Sequence, residues 1–139
     1  MRFAPGCLAV CLLAVVGCGP SGRLAPVSGT VRYNGRPLPG AYIGFLPEAN
    51  GERIATGTTD SGGRYRLTTF QNHDGAVLGR HQVVVRAETQ PAGPRRAADD
   101  LTNKPGKLLT PPRYSAAATS GLSAVVAAKN NVFDFDLTD

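Results

Sequence analysis

Residues 27–45 read VSGTVRYNGRPLPGAYIGF, a stretch in which apolar and polar side chains alternate on both sides of an Asn-Gly pair. Alternation with a period of two places every second side chain on the same face of a β-strand. The residues that would face inward are Val27, Val31 and Tyr33 before the pair, and Ala41, Ile43 and Phe45 after it. Because glycine accepts the positive φ that a type I′ turn needs, Asn34-Gly35 predicts a tight hairpin between two strands.

The same alternation recurs along the rest of the chain, with turn residues between the segments. Further strands are predicted at residues 54–59, 64–69, 81–87, 122–128 and 133–137. The segment at about 89–113 carries five prolines without any periodicity, which predicts a long loop. We therefore predict one all-β domain over residues 27–139, an antiparallel β-sandwich of about seven strands.

The composition of the 139 residues narrows the classes of function. The net charge is +5, the basic residues are scattered and aromatic residues make up 6%, so no nucleic-acid partner is predicted. All three cysteines, Cys7, Cys11 and Cys18, precede the predicted sandwich. The sandwich therefore has neither a disulfide nor a cysteine nucleophile.

The amino terminus predicts export and lipid attachment. Arg2 and the apolar run at 8–16 are typical of a secretory signal, and the run is shorter than the roughly 20 residues that span a bilayer. The sequence Val15-Val16-Gly17-Cys18 resembles the lipobox of bacterial lipoproteins. The resemblance implies cleavage after residue 17 and acylation of Cys18, with residues 18–26 as a flexible tether. Two or more acyl chains anchor a protein stably, so we expect attachment to a bacterial membrane on its periplasmic or cell-surface side.

Three stretches of the mature chain are similar to a known family: VSGTVRYNGRPLPGAYIGFLPE, ATGTTDSGGRYRLTT and GRHQVVV. Together they resemble the carboxypeptidase regulatory-like domains, which are transthyretin-like (prealbumin-like) sandwiches. The closing PRYSAAATSGLSAVVAAKNNVFDFDL resembles the end of small lipoproteins of this type, common in planctomycete-like bacteria. The resemblance implies a seven-stranded Ig-like or prealbumin-like sandwich that accompanies catalytic domains in other proteins.

No catalytic, metal or cofactor site is predicted from the residues. The turn at 60–63 lacks the alternating oxygen ligands of a calcium loop. His73 stands beside Asp74, but no nucleophile accompanies them, and His73 and His81 alone are too few for a zinc site. Transthyretin-like folds include a ureide hydrolase that ends in Y-R-G-S, whereas this chain ends at 136–139 in DLTD. We therefore predict that the protein is not an enzyme, with a transthyretin-like hydrolase as a remote alternative.

A structural or protein-binding role on the cell envelope is the predicted function, since exposed sheet edges can accept a partner's strand. The alternative is a module that binds envelope polysaccharide through tyrosines 33, 42 and 114 and basic residues of the long loop. An uncovered flat edge strand would favour the first, and an exposed tyrosine platform beside the loop would favour the second. The predicted binding patch consists of Arg95, Arg96, Lys104, Lys107 and Arg113.

Overall fold

A computed structural model describes residues 23–89 and 106–139, and this part of the chain contains eleven strands and two one-turn helices. The strands are β1 (Leu24–Ala25), β2 (Val27–Tyr33), β3 (Arg36–Pro37), β4 (Tyr42–Pro47), β5 (Ala55–Thr58), β6 (Arg64–Arg66), β7 (Ala76–Val77), β8 (Gly79–Arg86), β9 (Leu122–Val126), β10 (Asn131–Val132) and β11 (Phe135–Leu137). The helices are a 3₁₀ helix at Pro112–Ser115 and an α-helix, α1, at Ala117–Ser120. No helix within the two described ranges is long and apolar enough to span a bilayer.

The strands form two larger sheets and one small one. In the first, β2 pairs with β3 and β6 on one side and with β10 and β11 on the other. The second has the order β5-β4-β8-β9, with every pair antiparallel. Strands β1 and β7 make a separate antiparallel pair. The predicted all-β class is confirmed, and several sheets packed around one core are consistent with a β-sandwich.

The Asn-Gly turn has the predicted type I′ conformation, but the predicted hairpin is wrong in its second strand, because β4 lies in the other sheet and does not pair with β2. Asn34 and Gly35 have φ values of 48° and 78°, so both central residues of the turn are in the left-handed region, as a type I′ turn requires. The chain then turns back, and β3 pairs with the end of β2. This turn sets the direction in which the chain leaves β2 on its way to β4.

The core is built from the alternating apolar residues, with Phe45 at its centre. The Phe45 ring is fully buried, and its centroid lies 5.9 Å from that of Phe133 and 6.1 Å from that of Phe135. Ala128, predicted to face inward, is exposed because β9 ends before it. The predicted inward residues that are buried are Val27, Val31, Ala41, Ile43, Phe45, Tyr65, Leu67, His81, Val83, Val85, Ala87, Ala124, Val126, Phe135 and Leu137.

Two sequence predictions about the sheets need correction. The sandwich is not wholly antiparallel, because β10 and β11 run parallel to β2. The chain reaches them by crossing from β9 in the other sheet, and such a crossover permits a parallel neighbour where a hairpin does not. The strand number also differs from the predicted seven, since four of the eleven strands have two residues each.

The segment predicted as a long loop is partly ordered into the fold. Residues 90–105 lie outside the described part of the chain. Beyond them, Leu108 forms a bridge with Glu88, and the Leu109 amide donates a 2.8 Å hydrogen bond to the Ala87 carbonyl. The two helices follow at once, and Gly121, with φ of 66°, ends α1 before β9 begins.

Between β10 and β11 the chain passes close to β2 at Gly29. The Phe133 amide donates to the Ser28 carbonyl at 2.9 Å, and the Tyr65 hydroxyl donates to the Phe133 carbonyl at 2.6 Å. A β-carbon on Gly29 would clash with the Phe133 carbonyl oxygen and lie 2.6 Å from its carbonyl carbon. Burial raises the pKa of Tyr65, so its hydroxyl stays protonated and able to donate. Gly29 and Tyr65 therefore hold the segment between β10 and β11 in place.

Candidate functional site

The predicted lipidation site and most of the predicted binding patch lie outside the described residues. These are Cys18, Arg95, Arg96 and Lys104. Of the remaining two, Lys107 is exposed, and its backbone amide is bonded to the Thr89 hydroxyl at 3.0 Å. The basic patch therefore stays a prediction.

Arg113 holds the carboxy-terminal segment against the 3₁₀ helix. Its Nη2 donates to the Thr138 carbonyl at 2.8 Å and to the Tyr114 hydroxyl at 2.9 Å. The guanidinium carbon also lies 4.7 Å from the centre of the Tyr114 ring, a cation–π distance. These contacts give Arg113 an identified structural role.

The three tyrosines named for the polysaccharide alternative are not gathered into one platform. Tyr114 is buried, and its hydroxyl is engaged with the backbone of Thr138. The Tyr33 hydroxyl donates to the Asp139 carboxylate, and this hydrogen bond raises the pKa of Tyr33. Tyr42 stands apart on the outer face of β4, where 43% of it is exposed. Only Tyr42 presents a substantial ring surface to solvent.

Asp74 does not orient the neighbouring His73. Its Oδ1 accepts the Thr69 amide at 2.7 Å, and its Oδ2 accepts the amides of Phe70 and Gln71 at 2.9 and 2.8 Å. Partial burial would raise the pKa of Asp74, but these backbone hydrogen bonds outweigh it and lower the pKa. His73 has φ of 59°, a conformation uncommon for a residue other than glycine. The pair shapes a loop and forms no catalytic dyad.

Replacing Asp74 with asparagine is expected to lower the free energy of unfolding by about 2 kcal/mol at pH 7, because an amide supplies one acceptor oxygen for three backbone donors. The pKa of Asp74 is lower in the folded than in the unfolded chain. Its stabilisation is therefore present above the unfolded-state value of about 4 and is lost as the pH falls through the folded-state pKa.

Urea unfolding at pH 7 and pH 3 measures the difference in free energy of unfolding between the wild type and Asp74→Asn, and this difference should be smaller at pH 3. The control is Asp136→Asn, at an exposed position on β11. A difference for Asp74→Asn that does not change with pH would contradict this account.

His81 is a core residue of β8. It is 1% exposed, its ring centroid lies 5.7 Å from that of Phe45, and Nε2 lies 2.7 Å from the Val77 carbonyl oxygen. The contact assigns the proton to Nε2 and leaves Nδ1 buried without a partner in the described part of the chain. His81 and His73 are therefore in different environments, one sealed in the core and one exposed.

Asp60 closes a turn. Its Oδ1 accepts the amides of Gly62 and Arg64 at 2.8 and 2.9 Å, and the Arg64 bond is the main reason that the pKa of Asp60 is lowered. Both bonds lie within the turn that joins β5 to β6. Among residues 23–89 and 106–139, no three His, Cys, Asp or Glu side chains cluster as metal ligands would.

A shallow polar groove lies beside the turn that joins β5 to β6, with a volume of about 820 Å³. Its walls come from β2, β5 and the segment at 64–68, which β5 joins through a bridge between Thr56 and Thr68. Hydroxyl and basic side chains dominate the lining: Ser28, Thr30, Thr56, Thr58, Thr68, Arg64, Arg66 and His73. Alternation places Ser28 and Thr30 on the face of their strand opposite Val27, but it does not show which strands are neighbours.

The edge strand β9 is the second candidate site. It pairs with β8 on one side, and nothing in the described ranges pairs with its other side. Its sequence LSAVV has no charge and no proline, its register with β8 is unbroken, and Val125 is 59% exposed. Edge strands are usually guarded by charges, prolines or bulges, and β9 has none of these. By contrast, the edge strand β11 of the other sheet carries a charged side chain, the exposed Asp136.

Comparison with known proteins adds one distant structural likeness. No family model matches this chain, and no curated protein matches it. Among solved structures, the chain is similar to a 9R-lipoxygenase from Cyanothece PCC8801, with 15% identity and a TM-score of 0.39. The match covers 98% of this chain and 18% of the lipoxygenase chain.

The prediction that the protein is not an enzyme is corrected by this comparison, because the similar solved protein is an enzyme, and that prediction is withdrawn. A TM-score of 0.39 assigns no reaction to this chain. The proposals that follow concern attachment and binding.

Proposed function

We propose that this protein is a lipid-anchored module of the bacterial cell envelope that binds a protein partner through β9. The observation that carries the proposal is the uncharged and unbroken edge of β9, which no strand of residues 23–89 or 106–139 covers. An extended segment of a partner can add to such an edge through main-chain hydrogen bonds, with side-chain contacts supplying specificity.

The anchor is assigned to Cys18, with residues 1–17 removed as a signal peptide. The lipobox-like Val15-Val16-Gly17-Cys18 supports this assignment, which also places the protein on the periplasmic or cell-surface side of the membrane. Only residues 19–23 separate Cys18 from β1, and a chain extends by at most about 3.5 Å per residue. The first strand would therefore lie within about 20 Å of the lipid.

The pole of the domain nearest the anchor includes the turn that follows β9. Arg23 to Pro26 and residues 128–130 line one small cleft, and the Asn131 amide donates to the Pro26 carbonyl at 2.9 Å. The carboxy-terminal end of β9 therefore lies near the membrane, and Leu122 lies at the distal end. Such an orientation would let β9 accept a segment that approaches along the membrane normal.

The finer fold assignment is a seven-stranded, prealbumin-like sandwich related to the carboxypeptidase regulatory-like domains. Its supports are the motifs in residues 27–48, 55–69 and 79–85, and the seven strands of three or more residues. These longer strands are β2, β4, β5, β6, β8, β9 and β11. The four two-residue strands would be local additions to that framework.

Val125→Lys tests the role of the β9 edge, because a lysine on an edge strand disfavours the addition of another strand. Full-length protein in non-ionic detergent is sedimented with envelope fragments from the producing cells, half of them stripped by protease. We expect wild-type binding to vanish with the stripped fragments, and Val125→Lys to bind intact fragments about tenfold more weakly.

The matched control is Ile54→Lys, at a residue that is 50% exposed and lies outside the strands. Both variants should retain the wild-type midpoint of thermal unfolding. Equal loss of binding in both variants would contradict the role of β9. Binding that survives protease would contradict a protein partner.

A further inference from the structure

Tyr42 lies over a gap in the outer face of its sheet. A β-carbon built on Gly44 would lie 3.2 Å from the Tyr42 hydroxyl oxygen and 3.3 Å from its Cε1. The ring therefore covers the Gly44 backbone, and Val84 beside it is almost wholly buried although it is on the outer face. One side of the ring rests on the sheet, and 43% of the residue remains exposed.

The strands on both sides extend this surface with polar groups. In the register of the sheet, Tyr42 is opposite Thr58 on β5 and opposite Arg86 on β8. Thr58 also lines the polar groove, together with Thr56 and Arg66. Because neighbouring strands are about 4.8 Å apart, Tyr42 is one strand away from the part of the groove that Thr58 lines.

Most charged side chains of this surface are already engaged, and Arg64 pairs with Asp60 at 3.9 Å. The two acidic side chains of the groove are engaged with backbone amides: Asp60 as described above, and Asp134 with the Thr30 amide at 2.8 Å. Arg86 is paired with Glu88, whereas no ion pair is seen for Arg66 or Arg80 within the described ranges. The surface thus offers one guanidinium without an ion pair in the described ranges, that of Arg66, together with an aromatic ring and a row of hydroxyls.

We propose that this surface, termed the Tyr42 face and made of Tyr42, Thr56, Thr58 and Arg66, binds an acidic polysaccharide. A pyranose ring presents an apolar C–H face that packs on an aromatic ring, and its hydroxyls exchange hydrogen bonds with threonines. A guanidinium binds a carboxylate through two parallel hydrogen bonds, which selects uronic acid units over neutral sugars.

The Tyr42 face is separate from the β9 edge, and its ligand does not depend on the proposed protein partner. Tyr42 is on β4, and β8 lies between β4 and β9. The face also differs from the basic-loop patch suggested by the sequence, because Arg66 is on β6 and Thr58 is on β5. A variant that loses polysaccharide binding but keeps protein binding would therefore test the Tyr42 face alone, and the reverse result would test the β9 edge alone.

The test measures binding of the full-length protein, in non-ionic detergent, to polygalacturonate by isothermal titration calorimetry. Tyr42→Ala should weaken binding about tenfold, and Tyr42→Phe, which keeps the ring, should restore it to within about twofold. Arg66→Gln should weaken binding and reduce its dependence on salt. Lys129→Gln removes the same charge from the turn after β9 and should have little effect.

Two further probes separate a sugar site from a general polyanion site. Fully methyl-esterified polygalacturonate keeps the pyranose rings without their charge, and polyglutamate keeps the charge without the rings. The proposal expects weaker binding to both. Polyglutamate binding as tight as that of polygalacturonate, equal loss in Tyr42→Ala and Lys129→Gln, or no binding of polygalacturonate would each overturn it.

Discussion

Gly29→Ala is expected to lower the free energy of unfolding by about 3 kcal/mol, because overpacking against an immobile backbone is costly. The added methyl would clash with the Phe133 carbonyl oxygen and lie 2.9 Å from the Tyr65 hydroxyl oxygen. The segment between β10 and β11 would have to move away from β2. That movement would break the hydrogen bond from the Tyr65 hydroxyl and leave the part-buried Phe133 carbonyl without its donor.

Thermal unfolding of the full-length protein measures this effect, and the midpoint should fall by more than about 10 °C. Gly62→Ala is the matched control, since a β-carbon there would meet nothing closer than 3.4 Å and Gly62 has no positive φ. The same glycine-to-alanine change should then shift the midpoint by no more than a few degrees. Similar midpoints for the two variants would show that the segment between β10 and β11 does not pack against Gly29 as described.

Cys18→Ala is expected to abolish incorporation of labelled palmitate. Acylation of the lipobox cysteine requires its thiol, and alanine has none, so the effect is all or none. Loss of the acyl chains would also remove the stable anchor that two or more chains provide. Mass spectrometry of the wild-type protein should show loss of residues 1–17 and an added lipid mass on the new amino-terminal residue.

Cys11→Ala is the control for this measurement, because Cys11 lies in the segment expected to be removed. That variant should incorporate palmitate like the wild type. Equal labelling of Cys18→Ala and wild type would contradict lipid attachment at Cys18, and would leave the envelope location without its main support. The fold-based tests of Val125 and Tyr42 would still stand, because they depend on the sheets alone.

The Tyr42 face and the β9 edge each have a signal in the sequence that can be recognised once the structure is known. Tyr42-Ile43-Gly44 places a glycine two residues after a tyrosine, on the same face of one strand, and so leaves room for the ring to lie down. The run LSAVV lacks the charges and prolines that guard edges, but its position at the end of a sheet is a matter of strand order.

The sequence by itself determined the local structure of this protein. Alternation with a period of two placed Phe45, Val83 and Leu137 in the core, and Asn34-Gly35 specified its hairpin, because both signals depend on neighbours a few residues away. A lipobox is likewise a local signal, and it remains a prediction that only experiment can test.

Only the tertiary structure decided which strands are neighbours. The parallel pairing of β10 and β11 with β2, the closeness of Phe133 to Gly29, and the meeting of Thr58 with Tyr42 join residues far apart in the chain. Alternation tells which face a side chain occupies but not which strand lies beside it, since any strand with a matching apolar face could pack there. The surface around Tyr42 and the open edge of β9 follow from that choice of neighbours.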